Sequence, residues 1–282
     1  MPKTAKKSKK KPAKKSARRG PKFTAKTADK HDLYQRSVQD AATEVYFVNR
    51  AFKSKRKRVP LTLREDFCGT ALLCAEWVNS MPKRSAVGID IDRKVLAWGM
   101  EKNIAPLGEK ASRVQLLRQD VRDKSPGKHD VVCAFNFSYW IFKTRDAMRS
   151  YFAGVKKGLS KDGVFMLDAY GGWESHETML EPRQIKGGFV YVWDQDKFNP
   201  ITHDILNYIH FEFSDGSKMD KAFTYDWRYW TLPELTELLT EAGYSDVQVF
   251  WDKSTDDDND DYQPTTRASN QPGWLAYIVA CP

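Results

Sequence analysis

The segment LREDFCGTALL, residues 63–73, decides how the rest of this chain is interpreted. Its pattern predicts a strand, a tight turn and the start of a helix. In nucleotide-binding α/β proteins, a glycine-containing turn at such a junction holds the cofactor. The dinucleotide pattern G-x-G-x-x-G is absent, because Gly69 is the only glycine in the segment. The turn is therefore a degraded nucleotide loop, a loop for another cofactor, or a helix cap.

The sequence after this turn alternates between strand and helix patterns. Strands are predicted at residues 61–67, 85–91, 114–120, 129–137 and 163–170, and helices at 70–79, 93–104 and 145–159. Two further strands, at 246–252 and 274–280, follow a last helix that Thr231 caps. This alternation predicts an α/β fold with a doubly wound, mostly parallel seven-stranded sheet.

Composition divides the chain into five segments. Residues 171–229 are predicted to form an antiparallel insert, because aromatic and polar residues alternate on both sides of a D-G turn at Asp215 and Gly216. The predicted organisation is a disordered Lys-rich tail (1–30), an N-terminal helical cap (31–60), a cofactor-binding α/β core (61–170), an aromatic insert serving as a substrate lid (171–229), and the closing helix and strands of the core (230–282).

The positive charge of the chain is concentrated in the tail. Residues 1–30 hold 13 of the 46 Lys and Arg but one of the 37 Asp and Glu, so the tail carries about +12 and the remainder about −3. Two interpretations of the tail weigh equally: weak non-specific contact with nucleic acid or an anionic surface, or a solubilising role. The segment KSKRKR, residues 53–58, is the one local basic patch considered in the body of the chain.

Several classes of protein are disfavoured. No secretory signal or membrane-spanning run is predicted. The four cysteines form no C-x-x-C pair, which predicts reduced thiols in a cytoplasmic protein. No metal site is predicted, because zinc spacing is absent and the acidic loop at 252–273 lacks the Gly and Glu of a calcium loop. That loop is predicted to be solvated.

EDFCGTA, residues 65–71, resembles the first motif of class I S-adenosylmethionine-dependent methyltransferases of the small-molecule type. That motif is an acidic residue followed by x-G-x-G-x-G. Glu65 occupies the acidic position and Gly69 the middle glycine, whereas Phe67 and Ala71 replace the first and last glycines. The resemblance implies a Rossmann-like methyltransferase fold and S-adenosylmethionine as the cofactor.

Later strand ends strengthen this resemblance. Asp90 ends a strand 21 residues after Gly69, where a carboxylate can accept hydrogen bonds from ribose hydroxyls. Asp120 ends the next strand, and the resemblance places it at the adenine amino group. The alternative is that both acids cap the following helices. The implied cofactor-binding residues are Tyr34, Glu65, Phe67, Cys68, Gly69, Thr70, Ala71, Asp90, Ile91, Asp120, Val121 and Asn136.

The methyl acceptor is expected between the fourth strand and the insert. NFSYW, residues 136–140, has the Asn-x-x-Tyr spacing of a loop that binds amines in related methyltransferases, but lacks its two prolines. The predicted catalytic residues are Asn136, Tyr139 and His203, and the predicted substrate residues are Tyr139, Trp140, Trp193, Tyr225 and Trp227. Glu174, Asp194 and Glu212 are the acids expected nearby. An equal alternative is that Tyr139 and Trp140 only pack beneath the insert, and about half of the aromatics of the insert are expected to form the core of the hairpin instead.

The sequence thus predicts an enzyme that transfers a methyl group from S-adenosylmethionine to an N or O atom of a small molecule. Two alternatives remain at this point. One is an RNA, DNA or protein methyltransferase recruited through the basic tail. The other is a non-catalytic S-adenosylmethionine-binding protein, which the departures at Phe67 and Ala71 would favour.

Overall fold

A computed structural model describes residues 23–254 and 260–282 of the chain. Its large sheet follows the predicted alternation. The strands are β1 Thr62–Asp66, β2 Ser85–Asp90, β3 Val114–Arg118, β4 His129–Ala134, β5 Leu159–Gly171, β6 Met179–Ile185, β7 Phe189–Phe198, β8 Asp204–Phe213, β9 Lys218–Arg228, β10 Asp246–Asp252, β11 Tyr262–Pro264 and β12 Trp274–Cys281. The α-helices are α1 Lys30–Val38, α2 Ala41–Arg56, α3 Leu72–Ser80, α4 Arg93–Gly99, α5 Arg145–Gly158 and α6 Leu232–Glu241.

The large sheet has the strand order β3-β2-β1-β4-β5-β12-β10-β11. Strands β1 to β5 are parallel. Strand β12 pairs antiparallel with β5, and β10 pairs antiparallel with β12, so β10 runs in the same direction as β1 to β5. Chain order reverses between β1 and β4. In open α/β sheets, the crevice beyond the carboxyl ends of the strands at this reversal binds the ligand. The fold therefore places residues 66–71 and 135–140 side by side.

The predicted number of strands is corrected by one. Strand β11 comes from the acidic loop that was predicted to be solvated, and it pairs with β10 at the edge of the sheet. Arg50 holds it there by donating to Asp261 at 2.7 Å. Residues 255–259 of that loop lie outside the described residues.

The insert forms a second sheet, of order β6-β7-β8-β9, with every pair antiparallel. The predicted turn at Asp215 and Gly216 joins β8 to β9, and Gly216 adopts the left-handed conformation that such turns require. Strand β6 is an additional edge strand before the expected hairpin. The ring of Trp193 on β7 lies 6.5 Å from that of Tyr170 near the end of β5, and residues of β7 and β9 line one cavity with Asn136 and Phe137. The second sheet therefore lies over the carboxyl ends of the first.

Residues 23–38 pack against this second sheet. The ring of Phe23 lies 5.7 Å from that of Phe189, and Leu33 of α1 is fully buried. Packed structure thus starts inside the segment predicted as a tail, whereas residues 1–22 lie outside the described residues. Across 23–254 and 260–282, no helix has the length and apolar character needed to cross a membrane.

Candidate functional site

The loop between β1 and α3 has an unusual backbone. Phe67, Gly69 and Ala71 all adopt left-handed conformations, with φ of 58°, 51° and 56°. These are the three positions that hold glycine in the motif x-G-x-G-x-G. A left-handed residue other than glycine costs roughly 1–2 kcal/mol, so the surrounding structure must hold Phe67 and Ala71 in place. The loop therefore keeps the backbone conformation that glycines normally allow, although two of the three glycine positions hold other residues.

Packing explains how Phe67 is tolerated. Its ring lies 6.0 Å from the rings of both Phe142 and Tyr151, so the side chain joins the core beneath the loop. Gly69 borders open space instead, because a Cβ added there would meet no atom within 4 Å. The 67–71 loop thus turns its side chains inward and its bare glycine towards open space.

Asp90 ties this loop to the end of β2. Its Oδ2 accepts from the Gly69 amide at 2.9 Å and its Oδ1 from the Asp92 amide at 2.8 Å. The α4 cap is Asp92, which accepts from the Lys94 amide, so the helix-cap alternative is wrong for Asp90. A carboxylate offers about four acceptor positions, which leaves room for two ligand hydroxyls. Beside it, Ile91 is 68% exposed and offers an apolar surface.

Asp120 is engaged by a neighbouring cation. Its Oδ2 accepts from the Arg122 guanidinium at 2.6 Å, and this partner lowers the pKa of Asp120. The next regular element after Asp120 is strand β4 rather than a helix, so the helix-cap alternative is wrong for Asp120 as well. Val121 is buried, and its carbonyl accepts from Arg64 at 3.0 Å. A base bound at this strand end would therefore meet an Asp120–Arg122 pair rather than a free carboxylate.

Glu65 lies beneath the loop. It is 7% exposed, and its Oε2 accepts from the amide and the thiol of Cys74 at 3.1 and 3.0 Å. It therefore anchors the first turn of α3. Burial is the main cause that raises the pKa of Glu65 to about 7, and the nearby charge of Asp90 adds to it.

The raised pKa of Glu65 gives a testable pH dependence. An unfolded Glu has a pKa near 4.3, so between that value and about 7 the folded state binds more protons than the unfolded state. This contribution to stability is complete below pH 4.3 and is lost as the pH rises to 7. The free energy of unfolding in urea should be measured at pH 5.5 and at pH 8. Its fall between these two pH values should be smaller by about 2 kcal/mol in Glu65→Gln than in the wild-type protein. An equal fall in the two proteins would contradict the raised pKa of Glu65.

Thr70 and Cys68 complete the loop. The Thr70 hydroxyl accepts from Gln35 of α1 at 2.7 Å, and its carbonyl accepts from Asn103 at 2.8 Å. The Cys68 side chain is buried, and its amide donates to the Ile89 carbonyl at 2.9 Å. Cys68 can thus present only backbone to a ligand.

The loop after β4 is the second part of the site. Asn136 and Phe137 are consecutive left-handed residues, with φ of 57° and 58°. Their amides donate to the two carboxylate oxygens of Asp168 on β5, at 2.7 and 3.0 Å. Asp168 was not predicted as a site residue. An acid within the apolar strand sequence GVFMLDAY was the signal that could have revealed it.

A cavity of about 780 Å³ lies between the two sheets. Five of the predicted site residues line it: Tyr34, Asn136, Trp193, Tyr225 and Trp227. Tyr34 of α1 and Tyr225 of β9 pack against the same hydrophobic cluster, which joins α1 to the second sheet. Lining residues that were not predicted as site residues include Phe137, Tyr170, Tyr191, Gln195, Glu181 and Arg183. We call this space the aromatic cavity.

Three of the predicted catalytic and substrate residues do not line the aromatic cavity. Tyr139 is fully buried, and its hydroxyl donates to the Asp168 carbonyl at 2.6 Å. Trp140 is also fully buried and stacks on Tyr170 at 4.8 Å. His203 lies at the start of β8, with its ring 5.5 Å from that of Phe198. All three belong to the packing around the cavity, which is where aromatic residues gain most from burial.

Of the three acids expected near the acceptor, the structure brings one to the cavity. Glu174 lines it, whereas Asp194 pairs with His210 at 3.0 Å and Glu212 with Lys218 at 2.6 Å, both away from the lining. Among the described residues of the lining, Arg183 is the only cationic one. Within the described ranges, no group of three or more His, Cys, Asp or Glu could hold a metal ion.

Comparison with protein-family models and with curated proteins gives no match. Solved structures do match. An S-adenosylmethionine-dependent methyltransferase from Clostridium acetobutylicum has a TM-score of 0.67 at 16% identity, over 89% of this chain and 96% of its own. The amino pentose methyltransferase of calicheamicin biosynthesis from Micromonospora echinaspora gives 0.65 at 14% identity, over 89% and 95%. The sugar N-methyltransferase from Streptoalloteichus sp. gives 0.63 at 15% identity, over 97% and 99%.

These comparisons establish the fold. The chain has the Rossmann-like α/β fold of S-adenosylmethionine-dependent methyltransferases, with an antiparallel insert above the large sheet. The fold predicted from the strand-end motifs is therefore confirmed.

Proposed function

We propose that the protein is an S-adenosylmethionine-dependent methyltransferase that acts on an N or O atom of a small molecule. The observation that carries this proposal is the 67–71 loop. It keeps left-handed backbone at all three glycine positions of the motif and is joined to Asp90 at the reversal point of the sheet. A separate cavity for a second molecule lies beyond the end of β4, the strand beside β1, where Asn136 and Phe137 line it.

The residues around the loop fit the proposed cofactor. The open side of Gly69 admits close approach, Asp90 keeps acceptor positions for ribose hydroxyls, and exposed Ile91 offers an apolar face to a base. When bound, S-adenosylmethionine would supply an electrophilic methyl group on a sulfonium. The task left to the chain is to hold the acceptor in line with that methyl group and to exclude water.

The aromatic cavity favours an amine as the acceptor. Its walls carry Tyr34, Trp193 and Tyr225, whose ring faces attract a cation. Glu174 is half-buried in the same lining and supplies a negative charge. Two similar solved structures are those of an amino pentose methyltransferase and a sugar N-methyltransferase, which supports the same choice. An amine must lose a proton before it attacks, and the carboxylates of the lining, Glu174 and Glu181, are the groups of this chain that would pair with the ammonium form and accept its proton.

Calorimetry and a product assay test the function. S-adenosylmethionine and S-adenosylhomocysteine should both bind, with one site per chain. Release of S-adenosylhomocysteine should then be measured with pairs of sugars that differ only by an amino or a hydroxyl group at one carbon. Turnover confined to the amino members supports an amine acceptor. Tight binding without turnover on any small acceptor would favour the non-catalytic alternative, and absence of binding would exclude the proposal.

Trp193→Ala is expected to weaken acceptor binding selectively. Trp193 lines the cavity, with its ring 5.7 Å from that of Tyr225, so its loss removes one wall. The KM of the accepted amine should rise about tenfold, as expected for losing one cation–π and packing contact. The Kd of S-adenosylmethionine should stay within about twofold, because none of the described cavity-lining residues belongs to the 67–71 loop.

Trp173→Ala is the matched control for that variant. Trp173 is 51% exposed and lies outside the cavity lining. Its loss should leave the KM of the amine unchanged. An equal rise in both variants would show that the effect is a general one on the insert rather than a loss of cavity wall.

The macromolecular alternative has little support in the described part of the chain. In the basic patch at residues 53–58, Lys55 pairs with Asp246 at 2.6 Å, and Arg58 pairs with Asp130 and Asp162 at 2.7 Å. Neutralised side chains contribute little to phosphate binding. The weak nucleic-acid contact was assigned to residues 1–30, of which residues 1–22 are outside the described ranges. Deleting residues 1–22 should leave turnover on the small amine unchanged.

We also infer a reducing, cytoplasmic location. All four cysteines, Cys68, Cys74, Cys133 and Cys281, are buried free thiols. This is the usual state of cysteines in the cytosol.

A further inference from the structure

A single carboxylate, that of Asp168, holds the backbone conformation of Asn136 and Phe137 through hydrogen bonds. Two successive left-handed residues direct their amides to the same side of the chain, which forms a concave anion site. Here the anion is the side chain of Asp168, with one oxygen for each amide, at 2.7 and 3.0 Å. The left-handed conformation costs Phe137 roughly 1–2 kcal/mol, which is more than it costs Asn136, because Asn adopts this conformation more readily.

Asp168 has no charged partner that would explain its burial. It is 6% exposed, and no ion pair to it is found among the described residues. Burying an ionised carboxylate is costly unless hydrogen bonds replace water. The two loop amides supply those bonds, while the Tyr139 hydroxyl binds the carbonyl of the same residue. The carboxylate and the strained loop therefore stabilise each other.

This arrangement fixes what the loop shows to the cavity. Asn136 and Phe137 both line the aromatic cavity. The Phe137 ring is held 4.7 Å from that of Tyr170. The carboxamide of Asn136 makes no hydrogen bond to any described residue. It is thus an unused donor and acceptor in the cavity lining, held just beyond the end of β4, the strand that pairs with β1.

We propose that Asp168 is a positioning residue for methyl transfer: its carboxylate locks the Asn136–Phe137 backbone so that the Asn136 carboxamide holds the reacting atom of the acceptor. The inference rests on the proposed function, because it assigns a role within that reaction. It adds to that function a residue that touches neither cofactor nor acceptor. Displacement of a positioned group by about 1 Å can cost about 100-fold in rate.

Asp168→Asn tests this role. The amide keeps one acceptor oxygen but turns an N–H donor towards one of the two loop amides, so the lock opens with little change in volume. With the amine identified in the panel, kcat should fall about 100-fold. The Kd of S-adenosylhomocysteine should remain within about twofold. In ¹⁵N-labelled full-length protein, the Asn136 and Phe137 amide protons should lie downfield and move upfield in the variant.

Asp130→Asn is the matched control. Asp130 also accepts from two backbone amides, those of Leu61 and Thr62 at 2.7 and 3.3 Å. It lies near the amino end of β4, whereas Asn136 follows the carboxyl end of the same strand. The control should lose stability but keep kcat, which separates positioning from general destabilisation.

Asn136→Gly keeps the test decisive if Asp168→Asn fails to fold. Glycine adopts the left-handed conformation freely, so the Phe137 amide should stay downfield while kcat falls by a similar factor. Unchanged kcat in either variant, or unmoved amide protons in a folded Asp168→Asn, would overturn the inference. A wild-type protein that binds no S-adenosylhomocysteine would instead overturn the proposed function, a result that calorimetry reveals before any variant is made.

Discussion

Asp90→Ala is expected to abolish binding of S-adenosylmethionine while the protein stays folded. The carboxylate serves two purposes at once: it holds the Gly69 amide at 2.9 Å, and it keeps acceptor positions for ribose hydroxyls. Hydrogen bonds to a charged group contribute about 1.5–3 kcal/mol each. Losing two of them should raise the Kd at least about 100-fold, as measured by calorimetry, with far-UV circular dichroism unchanged.

Asp92→Ala controls for the local change of charge. Asp92 lies two residues further on and caps α4 through the Lys94 amide at 2.7 Å. Its loss should cost about 1 kcal/mol of stability and leave the Kd within about twofold. Equal losses of affinity in the two variants would mean that negative charge in general, rather than the hydrogen bonds of Asp90, attracts the cationic cofactor.

The sequence predicted those features that depend on neighbours along the chain. Strand and helix periods reflect local burial, so most predicted elements end within a few residues of the observed ones. The 67–71 loop was also recognisable, because an acid and a glycine at fixed spacing mark a strand–turn–helix junction. The cap on α6 followed for the same reason: Thr231 and Glu234 form a reciprocal capping box.

Features that depend on distant contacts were not predicted. Asp168 lies 32 residues from Asn136, and only the pairing of β4 with β5 brings them together. Tyr139, Trp140 and His203 were expected at the acceptor and do not line the aromatic cavity, because residue type does not reveal which side of a loop faces a cavity. Arg122 shows the same limit, since its pairing with Asp120 depends on a turn that the pattern does not specify.

Gly172→Ala is expected to have the largest effect on stability. Gly172 follows β5 with φ of 115°, and an added Cβ would lie 2.1 Å from the Pro272 carbonyl oxygen. That oxygen accepts from the Glu174 amide at 3.0 Å. Alanine must therefore adopt a strained conformation and displace backbone that frames the cavity. Together these costs should reach roughly 3–5 kcal/mol, which corresponds to a Tm lower by about 10 °C in calorimetry.

Gly188→Ala separates the two causes. Gly188 also has positive φ, of 90°, but a Cβ added there meets nothing within 4 Å. Only the conformational cost remains, roughly 1–2 kcal/mol, so the Tm should fall by about 5 °C or less. Because Gly171, Pro272 and Gly273 line the cavity, Gly172→Ala should also raise the KM of the amine, whereas Gly188→Ala should not. Equal effects of the two variants on Tm would mean that the junction yields to the added methyl group, and an unchanged KM in Gly172→Ala would separate this junction from acceptor binding.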